Sequence, residues 1–216
     1  MLGDVTMRVI SIGAAASSPR LRMACARFGL RITHDDPCPP HHAAALARVQ
    51  ATPPGAITLI TGRSGSGKSV LLHDLERACR GRQQRVIRVT TPAPRVRIID
   101  AIGGTLTAGL STLALVGLAD ATLLPRLVRD LSEGEKARLA LAVAIRAARV
   151  RRAQWLLLDE FLAVVDRPTA RAVATGIRRT WQRDAMPRLV VATAHDDLAA
   201  ALRPDCNIDL DREVTP

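Results

Sequence analysis

Short apolar runs alternate with amphipathic stretches along most of this chain. The runs at residues 56–60, 155–158 and 188–193 predict buried strands, because each is short, mainly aliphatic and bounded by polar or turn-forming residues. Alternating patterns at 5–12 and 85–90 predict two further strands. Helices are predicted over 69–79, from Gly134 onward, and over 169–181. This alternation of helices and strands favours an α/β fold whose mainly parallel sheet is flanked by helices.

Glycine and proline mark the irregular parts of the chain. A Pro-rich loop is predicted over 35–42, a turn at 53–55 and a break in regular structure at 92–94. Short helical segments are predicted between 98 and 129. The residues expected to interrupt them are Gly103, Gly104, Gly109, Gly117 and Pro125.

The organisation predicted from these segments is a single domain over residues 1–216. Residues 1–50 form an N-terminal strand and Pro-rich extension, and residues 92–150 form an inserted helical lobe. In the long helix of that lobe, apolar residues recur every four positions at Leu139, Val143 and Ala147. These three side chains are predicted to face the core.

The most informative local motif directly follows the strand predicted at 56–60. Residues 62–69 read GRSGSGKS, which fits the pattern G-x-x-x-x-G-K-[ST] of a phosphate-binding P-loop. Glycines let such a loop point consecutive backbone N–H groups at phosphate oxygens, and the next helix adds its positive N-terminal end. Lys68 is expected to contact the β- and γ-phosphates, and Ser69 to ligate Mg²⁺. The residues predicted to bind ATP are Gly62, Arg63, Ser64, Gly65, Ser66, Gly67, Lys68, Ser69 and Val70.

Composition singles out the lysine of that loop. The chain has 31 Lys and Arg residues, of which only Lys68 and Lys136 are lysine, and its net charge is +11. An arginine fork would fit a phosphate cradle poorly, whereas the compact ammonium of lysine suits it. The excess charge allows contact with nucleic-acid phosphates or an anionic membrane surface, although an Arg-rich solvated surface is the favoured explanation. A nucleic-acid partner therefore stays open.

Cysteine usage and hydropathy predict a cytoplasmic protein. The four cysteines lack C-x-x-C spacing, and no charged start leads into an apolar core with a cleavage site. Cys38, His41 and His42 offer half of a zinc site, but no second ligand pair is spaced to complete it. No apolar run approaches the roughly 20 residues that span a bilayer. A transmembrane segment is thus not expected, and membrane association would depend on a partner protein.

Four further motifs follow the P-loop in a fixed order. They are LSEGE at 131–135, LLLDE at 156–160, Asp166, and His195 after the last predicted strand. Together with the P-loop they resemble the ATP-binding cassette (ABC) ATPases over about residues 51–200. The resemblance implies a P-loop NTPase fold of the ABC type, ATPase activity, and ATP and Mg²⁺ as cofactors.

The same resemblance assigns catalytic and metal-binding roles. Asp159 corresponds to the carboxylate that holds Mg²⁺ through water, beside Ser69. Glu160 corresponds to the catalytic carboxylate that orients and polarises the attacking water. His195 corresponds to the histidine that contacts the γ-phosphate and the water.

Other motifs of the resemblance act between two protomers. LSEGE corresponds to the family signature LSGGQ, in which Ser132 and Gly134 would contact the γ-phosphate held by the opposite protomer. Asp166 corresponds to the D-loop aspartate. Because the chain has one P-loop and one signature, a complete site is expected to need a homodimer or a second cassette.

This chain departs from the family pattern at three places. Glu133 replaces the first glycine of the signature, which puts a carboxylate near a polyanion, and Glu135 replaces its glutamine. Residues 90–92 read Thr-Thr-Pro where the family has the Q-loop glutamine. The chain has no Tyr to stack on adenine, which leaves His41, His42 or Phe28 for that role.

Three functions are compatible with these motifs. GSGKSVLL, GLADA, DEFLAVVDRPTA and ATAHDDL most resemble a soluble prokaryotic group of ABC-type ATPases linked to acetyltransferase domains. The leading interpretation is therefore a soluble ATPase that works as an ATP-closed dimer on a protein or nucleic-acid partner. The alternatives are the ATP-binding subunit of a membrane transporter, and a slow nucleotide-dependent binding switch.

Overall fold

The chain divides into two units, residues 1–39 and 40–216. The computed structural model describes the backbone of residues 9–11, 20, 23–24, 27–28, 31–33, 40–181 and 186–212. In the first unit, β1 (Val9–Ser11) and β2 (Arg31–Thr33) pair in parallel. The strand predicted over 5–12 is thus confirmed at 9–11, and its other residues lie outside the described part of the chain.

Five parallel strands form the sheet of the second unit. They are β3 (Ile57–Thr61), β4 (Val86–Arg88), β5 (Trp155–Leu158), β6 (Arg188–Ala192) and β7 (Cys206–Asp209). Their order is β4-β5-β6-β3-β7, and all neighbouring strands are parallel. The predicted α/β fold with a mainly parallel sheet is confirmed. The sequence did not predict β7, because its polar residues Asn207 and Asp209 hide the short edge strand.

Helices connect and cover these strands. They are α1 (Pro40–Gln50), α2 (Lys68–Gly81), α3 (Ile98–Ile102), α4 (Leu106–Leu115), α5 (Glu133–Val150), α6 (Arg167–Thr180) and α7 (Ala199–Leu202). Single 3₁₀ turns occur at Val128–Asp130 and Asp196–Leu198. The helices predicted over 69–79, from 134 and over 169–181 are therefore confirmed to within two residues at their starts.

Three local predictions were wrong in whole or in part. The Pro-rich loop predicted over 35–42 gives way to α1 at Pro40, because the fixed φ of proline suits the first position of a helix. Gly109 lies inside α4 instead of breaking a helix, and a Cβ there would come within 3.0 Å of Ile102. In α5, Leu139 is fully buried and Val143 packs against the core as predicted, whereas Ala147 is only partly buried, because a spacing of four drifts around a helix with 3.6 residues per turn.

Apolar side chains pack on both faces of the sheet. Each buried strand supplies both faces because its side chains alternate, so that in β5 Leu156 and Leu158 join one cluster while Trp155 and Leu157 join the other. The first cluster packs against α3 to α6, and the second packs against α1 and α2. The sheet is therefore covered on both faces, which leaves the ends of its strands to carry a site.

Candidate functional site

Three neighbouring strands bring most of the predicted site residues to one edge of the sheet. β5, β6 and β3 are adjacent and parallel, so their carboxyl ends meet at the same edge. The P-loop follows β3, Asp159 follows β5, and His195 follows β6. The Phe161 N–H donates to the Ala192 carbonyl at 3.0 Å, which fastens the loop after β5 to the end of β6.

The glycines of the P-loop adopt backbone conformations that other residues disfavour. Gly62, Gly65 and Gly67 have φ values of 150°, 84° and 92°. A Cβ at Gly62 would lie 2.5 Å from the Ser66 hydroxyl oxygen, and one at Gly67 would lie 2.6 Å from the His42 ring. The loop is therefore shaped by close approach as well as by turning.

His42 supports the P-loop from α1 instead of stacking on a base. Its side chain is buried, with 3% of its surface exposed, and its ring lies beneath Gly67. The expectation that His42 stacks on adenine is thus not met. The His41 side chain lies outside the described residues, and Phe28, which is 78% exposed, belongs to the first unit.

Lys68 reaches back over the loop that precedes it. Its Nζ donates to the carbonyl oxygens of Gly62 at 2.6 Å and Arg63 at 2.7 Å. Gly67 caps α2 with no side-chain acceptor, which leaves the N–H groups of the first helical turn to another acceptor. An ammonium group and backbone N–H groups at the N-terminus of a 14-residue helix match the needs of a phosphate chain.

A second long-range contact holds the P-loop at Arg63. The Arg63 N–H donates to Asp211 Oδ2 at 3.0 Å, and Asp211 lies just after β7. No local sequence pattern points to this partner, because 148 residues separate the two positions.

The loop after β5 holds two residues in the left-handed region. Glu160 has a φ of 48° and Leu162 a φ of 53°, a conformation that costs non-glycine residues about 1–3 kcal/mol each. The Glu160 N–H donates to Asp159 Oδ1 at 3.1 Å. Asp159, Glu160 and Thr91 line one cavity of about 230 Å³. Thr91 belongs to the segment that replaces the Q-loop, so the segment that departs from the family pattern adjoins the predicted catalytic pair.

Magnesium suits the groups at this edge. Among the described residues, no three His, Cys, Asp or Glu side chains are grouped to hold a metal alone. Mg²⁺ needs no such cage, because it commonly takes one or two protein ligands together with phosphate oxygens and water. Ser69 in the first turn of α2 and Asp159 directly after β5 are the predicted residues whose oxygen atoms would supply that donor set.

The signature residues begin α5. The Ser132 Oγ accepts from the Glu135 N–H at 3.2 Å, and Glu135 Oε2 accepts from the Ser132 N–H at 2.8 Å, which makes a capping box. The hydrogen bond from the Ser132 backbone lowers the pKa of Glu135. Glu135 thus replaces the signature glutamine without loss of the cap, and the Ser132 O–H remains a donor.

The other signature positions face a neighbouring loop and a lysine. Gly134 packs against the segment before Asp166, since a Cβ on Gly134 would lie 3.4 Å from the Val164 carbonyl oxygen. Glu133 accepts from Lys136 Nζ at 2.7 Å. The carboxylate that departs from the signature is therefore paired with one of the two lysines of the chain.

Asp166 caps the next helix. Its carboxylate accepts from the Thr169 N–H at 2.9 Å, and this hydrogen bond lowers the pKa of Asp166. His195 is partly buried, and its backbone N–H donates to the hydroxyl oxygen of the buried Thr193 at 3.1 Å. Both predicted residues thus sit on ordered turns at the ends of regular elements.

Known proteins with a similar sequence are ATP-binding proteins of an importer. The molybdenum import ATP-binding protein ModC of Escherichia coli strain K12 is 30% identical over 180 residues, which cover 69% of this chain and 49% of ModC. ModC of Shigella flexneri matches to the same extent. The chain thus spans about half the length of the curated relatives it matches. No family model matches the chain.

Solved structures with a similar fold are ABC cassettes. The dimeric structure of MJ0796, a bacterial ABC transporter cassette, superimposes with a TM-score of 0.57 at 16% identity, covering 73% of this chain and 82% of that chain. A post-hydrolysis state of MJ0796 bound to ADP and Pi gives 0.54 at 17% identity, covering 72% and 81%. The fold of this chain is therefore that of a P-loop cassette of the ABC type. The ModC match and the ordered motifs support membership of the ABC ATPase family.

Among the described residues, no helix combines the length and the apolar character needed to cross a bilayer.

Proposed function

We propose that this protein binds ATP with Mg²⁺ and hydrolyses it to ADP and phosphate. The observation that carries the proposal is the convergence of the P-loop, Asp159 with Glu160, and His195 at the carboxyl ends of three adjacent parallel strands. In open α/β sheets this edge is where ligands bind. The match to ModC, an ATP-binding protein, and the likeness to a cassette structure bound to ADP and Pi support the same activity.

In this proposal, some site residues bind the nucleotide and Mg²⁺, and others act in the hydrolysis step. Residues 62–70 hold the phosphates, with Lys68 moving from the Gly62 and Arg63 carbonyls to phosphate oxygens. Ser69 and Asp159 hold Mg²⁺, which supplies charge neutralisation at the phosphates. Glu160 orients and polarises the attacking water, and His195 donates a hydrogen bond to the γ-phosphate.

The active form is proposed to be a dimer closed by ATP. Ser132 and Gly134, with Asp166 beside them, would complete the site of the opposite protomer or of a second cassette. The free Ser132 O–H and the 18-residue helix that it caps suit an anionic ligand. The dimeric structure of MJ0796 supports this arrangement.

Two kinds of partner follow from different observations. The motif phrases and the absence of a Q-loop glutamine at 90–92 favour a soluble machine of the acetyltransferase-linked group, acting on a protein or nucleic acid. The ModC match favours the ATP-binding subunit of a membrane transporter. Isolation of the full chain under native conditions separates them: a multi-spanning membrane protein in the complex supports the transporter, and nucleic acid that stimulates hydrolysis supports the machine.

The first experiment is the solution mass of Glu160→Gln protein by light scattering, with and without Mg-ATP. A dimer that forms only with ATP is the expected result, because the substitution keeps nucleotide binding and stops turnover. Lys68→Ala in the same background is the matched control and should stay monomeric. Tight ATP binding by the wild type with turnover near background would instead support the slow binding switch.

A further inference from the structure

Arg88 lies between two carboxylates at the edge of the proposed site. It is the last residue of β4, opposite Leu157 of β5, and Asp159 follows two residues later. Its Nη2 is 3.7 Å from Asp159 Oδ2, and its Nη1 is 3.3 Å from Glu76 Oε2. About one third of the Arg88 side chain is exposed. Asp159 therefore has a cation at its side.

Glu76 holds this cation in place from α2, the helix that begins at the P-loop. Its side chain is only 13% exposed, and its other oxygen accepts from Arg80 at 2.7 Å. Arg88 is thus attracted by two carboxylates, and it reaches Asp159 at a distance of ion pairing, longer than a hydrogen bond. Any change in the charge of Glu76 shifts how strongly Arg88 is drawn to Asp159.

Arg88 directly precedes a segment that lines the proposed site. The residues after it, Val89 and Thr91, line the same cavity as Asp159 and Glu160. This segment has Thr-Thr-Pro where the resemblance leads one to expect a glutamine near the metal. Arg88 is therefore the charged side chain that β4 brings to Asp159.

We infer that Arg88 is a positioning residue that competes with Mg²⁺ for the carboxylate of Asp159. The inference rests on the proposed function, in which Asp159 holds Mg²⁺. One carboxylate cannot neutralise both cations at full strength, so the ion pair with Arg88 weakens metal binding. Glu76 receives Arg88 when Asp159 turns to the metal, which keeps the guanidinium paired.

The test measures how much Mg²⁺ is needed to bind a fluorescent non-hydrolysable ATP analogue. Arg88→Met should lower the Mg²⁺ midpoint by about three-fold, the size expected for a partly exposed ion pair. Glu76→Gln should raise the Mg²⁺ midpoint. Of the two carboxylates that attract Arg88, this variant keeps only Asp159, so Arg88 competes more strongly with the metal. Arg77→Met is the matched control, because it removes a cation of the same helix that pairs with Asp74 at 3.7 Å, and its midpoint should equal that of the wild type.

A second readout works without nucleotide. Mn²⁺ added to the protein alone should broaden the backbone NMR signals of residues 158–161 at a lower concentration in Arg88→Met than in Arg77→Met. Equal midpoints and equal broadening in these two variants would overturn the inference. If Arg88→Met fails to fold, Glu76→Gln still decides, since a midpoint at or below that of the wild type contradicts the inference.

Failure of the proposed function looks different. In that case the wild type would bind no nucleotide at any Mg²⁺ concentration, and Lys68→Ala would change nothing. The Mn²⁺ measurement would still report whether Arg88 and a metal compete for Asp159.

Discussion

Arg167 and Asp197 form a two-point ion pair that joins the start of α6 to the loop after β6. Arg167 Nε donates to Asp197 Oδ2 at 3.2 Å, and its Nη2 donates to the other carboxylate oxygen. Arg171, one turn further along α6, adds a bond from Nε at 3.1 Å. The hydrogen bond from Arg167 lowers the pKa of Asp197. Because Asp166 precedes Arg167 and His195 lies two residues before Asp197, the ion pair links the two segments that hold these predicted site residues.

The coupling predicts that Asp197→Asn slows turnover more than it weakens ATP binding. The substitution loosens the loop that positions His195, and a displacement of that kind is expected to lower kcat by about ten-fold. Steady-state kinetics together with nucleotide titration measure both effects. Asp196→Asn, at the exposed neighbouring position, is the control and should behave as the wild type. An Asp197→Asn protein with unchanged kcat would exclude the coupling.

The two lysines of the chain should have separable effects on nucleotide binding. Lys68→Ala removes the ammonium that reaches Gly62 and Arg63 across the P-loop, and it is expected to weaken ATP binding to the isolated protomer by about 100-fold, as for loss of charge-assisted hydrogen bonds. Lys136 lies on α5, away from the P-loop in the sequence, and Lys136→Ala should leave ATP binding to the isolated protomer unchanged. Isothermal titration with each variant makes the comparison, and equal losses would contradict the assignment of the P-loop lysine.

The Glu133–Lys136 pair predicts a charge effect on dimer closure. The Glu133 side chain is 77% exposed, so in the proposed dimer its carboxylate would repel phosphate held by the opposite protomer, and Lys136 would offset this repulsion. Glu133→Gln should strengthen ATP-dependent dimerisation by about two- to five-fold, and Lys136→Met should weaken it by a similar factor. Sedimentation of both variants and of the double variant, all in the Glu160→Gln background, forms the cycle. The prediction fails if Glu133→Gln weakens the dimer.

The strained backbone at Glu160 predicts a conflict between stability and activity. Glu160→Gly should raise the free energy of unfolding by about 1 kcal/mol, because glycine adopts a φ of 48° without a clash, and it should abolish turnover. Glu160→Gln removes the carboxylate but keeps the strain, so it should lose turnover without the gain in stability. Urea unfolding of the three proteins tests this, and a Glu160→Gly protein no more stable than Glu160→Gln would show that the strain is relieved elsewhere.

The sequence predicted the continuous segments of the site well, and it missed the contacts between residues that lie far apart in the chain. The P-loop, the apolar strand before Asp159 and the strand before His195 are each continuous segments with their own pattern, so their placement at one sheet edge followed from the parallel order. The contact of His42 with Gly67 and the pairing of Arg88 with Asp159 join residues far apart in the chain. α1 was missed because its proline and histidines resemble a loop, although the Ala-rich remainder forms helix readily.

The anchoring of α6 to the sheet predicts how stability changes with pH. Asp205 accepts from the Ile57 N–H at 2.8 Å and from both Nη atoms of Arg178, at 2.9 and 3.1 Å. Burial raises the pKa of Asp205, but the hydrogen bonds from Arg178 and Ile57 together outweigh it, so the pKa is lowered. Because the pKa of Asp205 is lower in the folded protein, its carboxylate stabilises the fold at any pH above the pKa of the unfolded chain, about 4. This contribution is lost as the pH falls through the pKa of the folded protein.

Asp205→Asn should therefore be less stable than the wild type at pH 7, by about 1 kcal/mol given that 40% of the Asp205 side chain is exposed. The difference should shrink as the pH falls below about 4, because the wild type then loses its own charge. Urea unfolding of both proteins between pH 7 and pH 3 measures this convergence. Asp209→Asn, on the neighbouring edge strand β7, is the control. A constant difference across this range would mean that Asp205 contributes through shape and not through its charge.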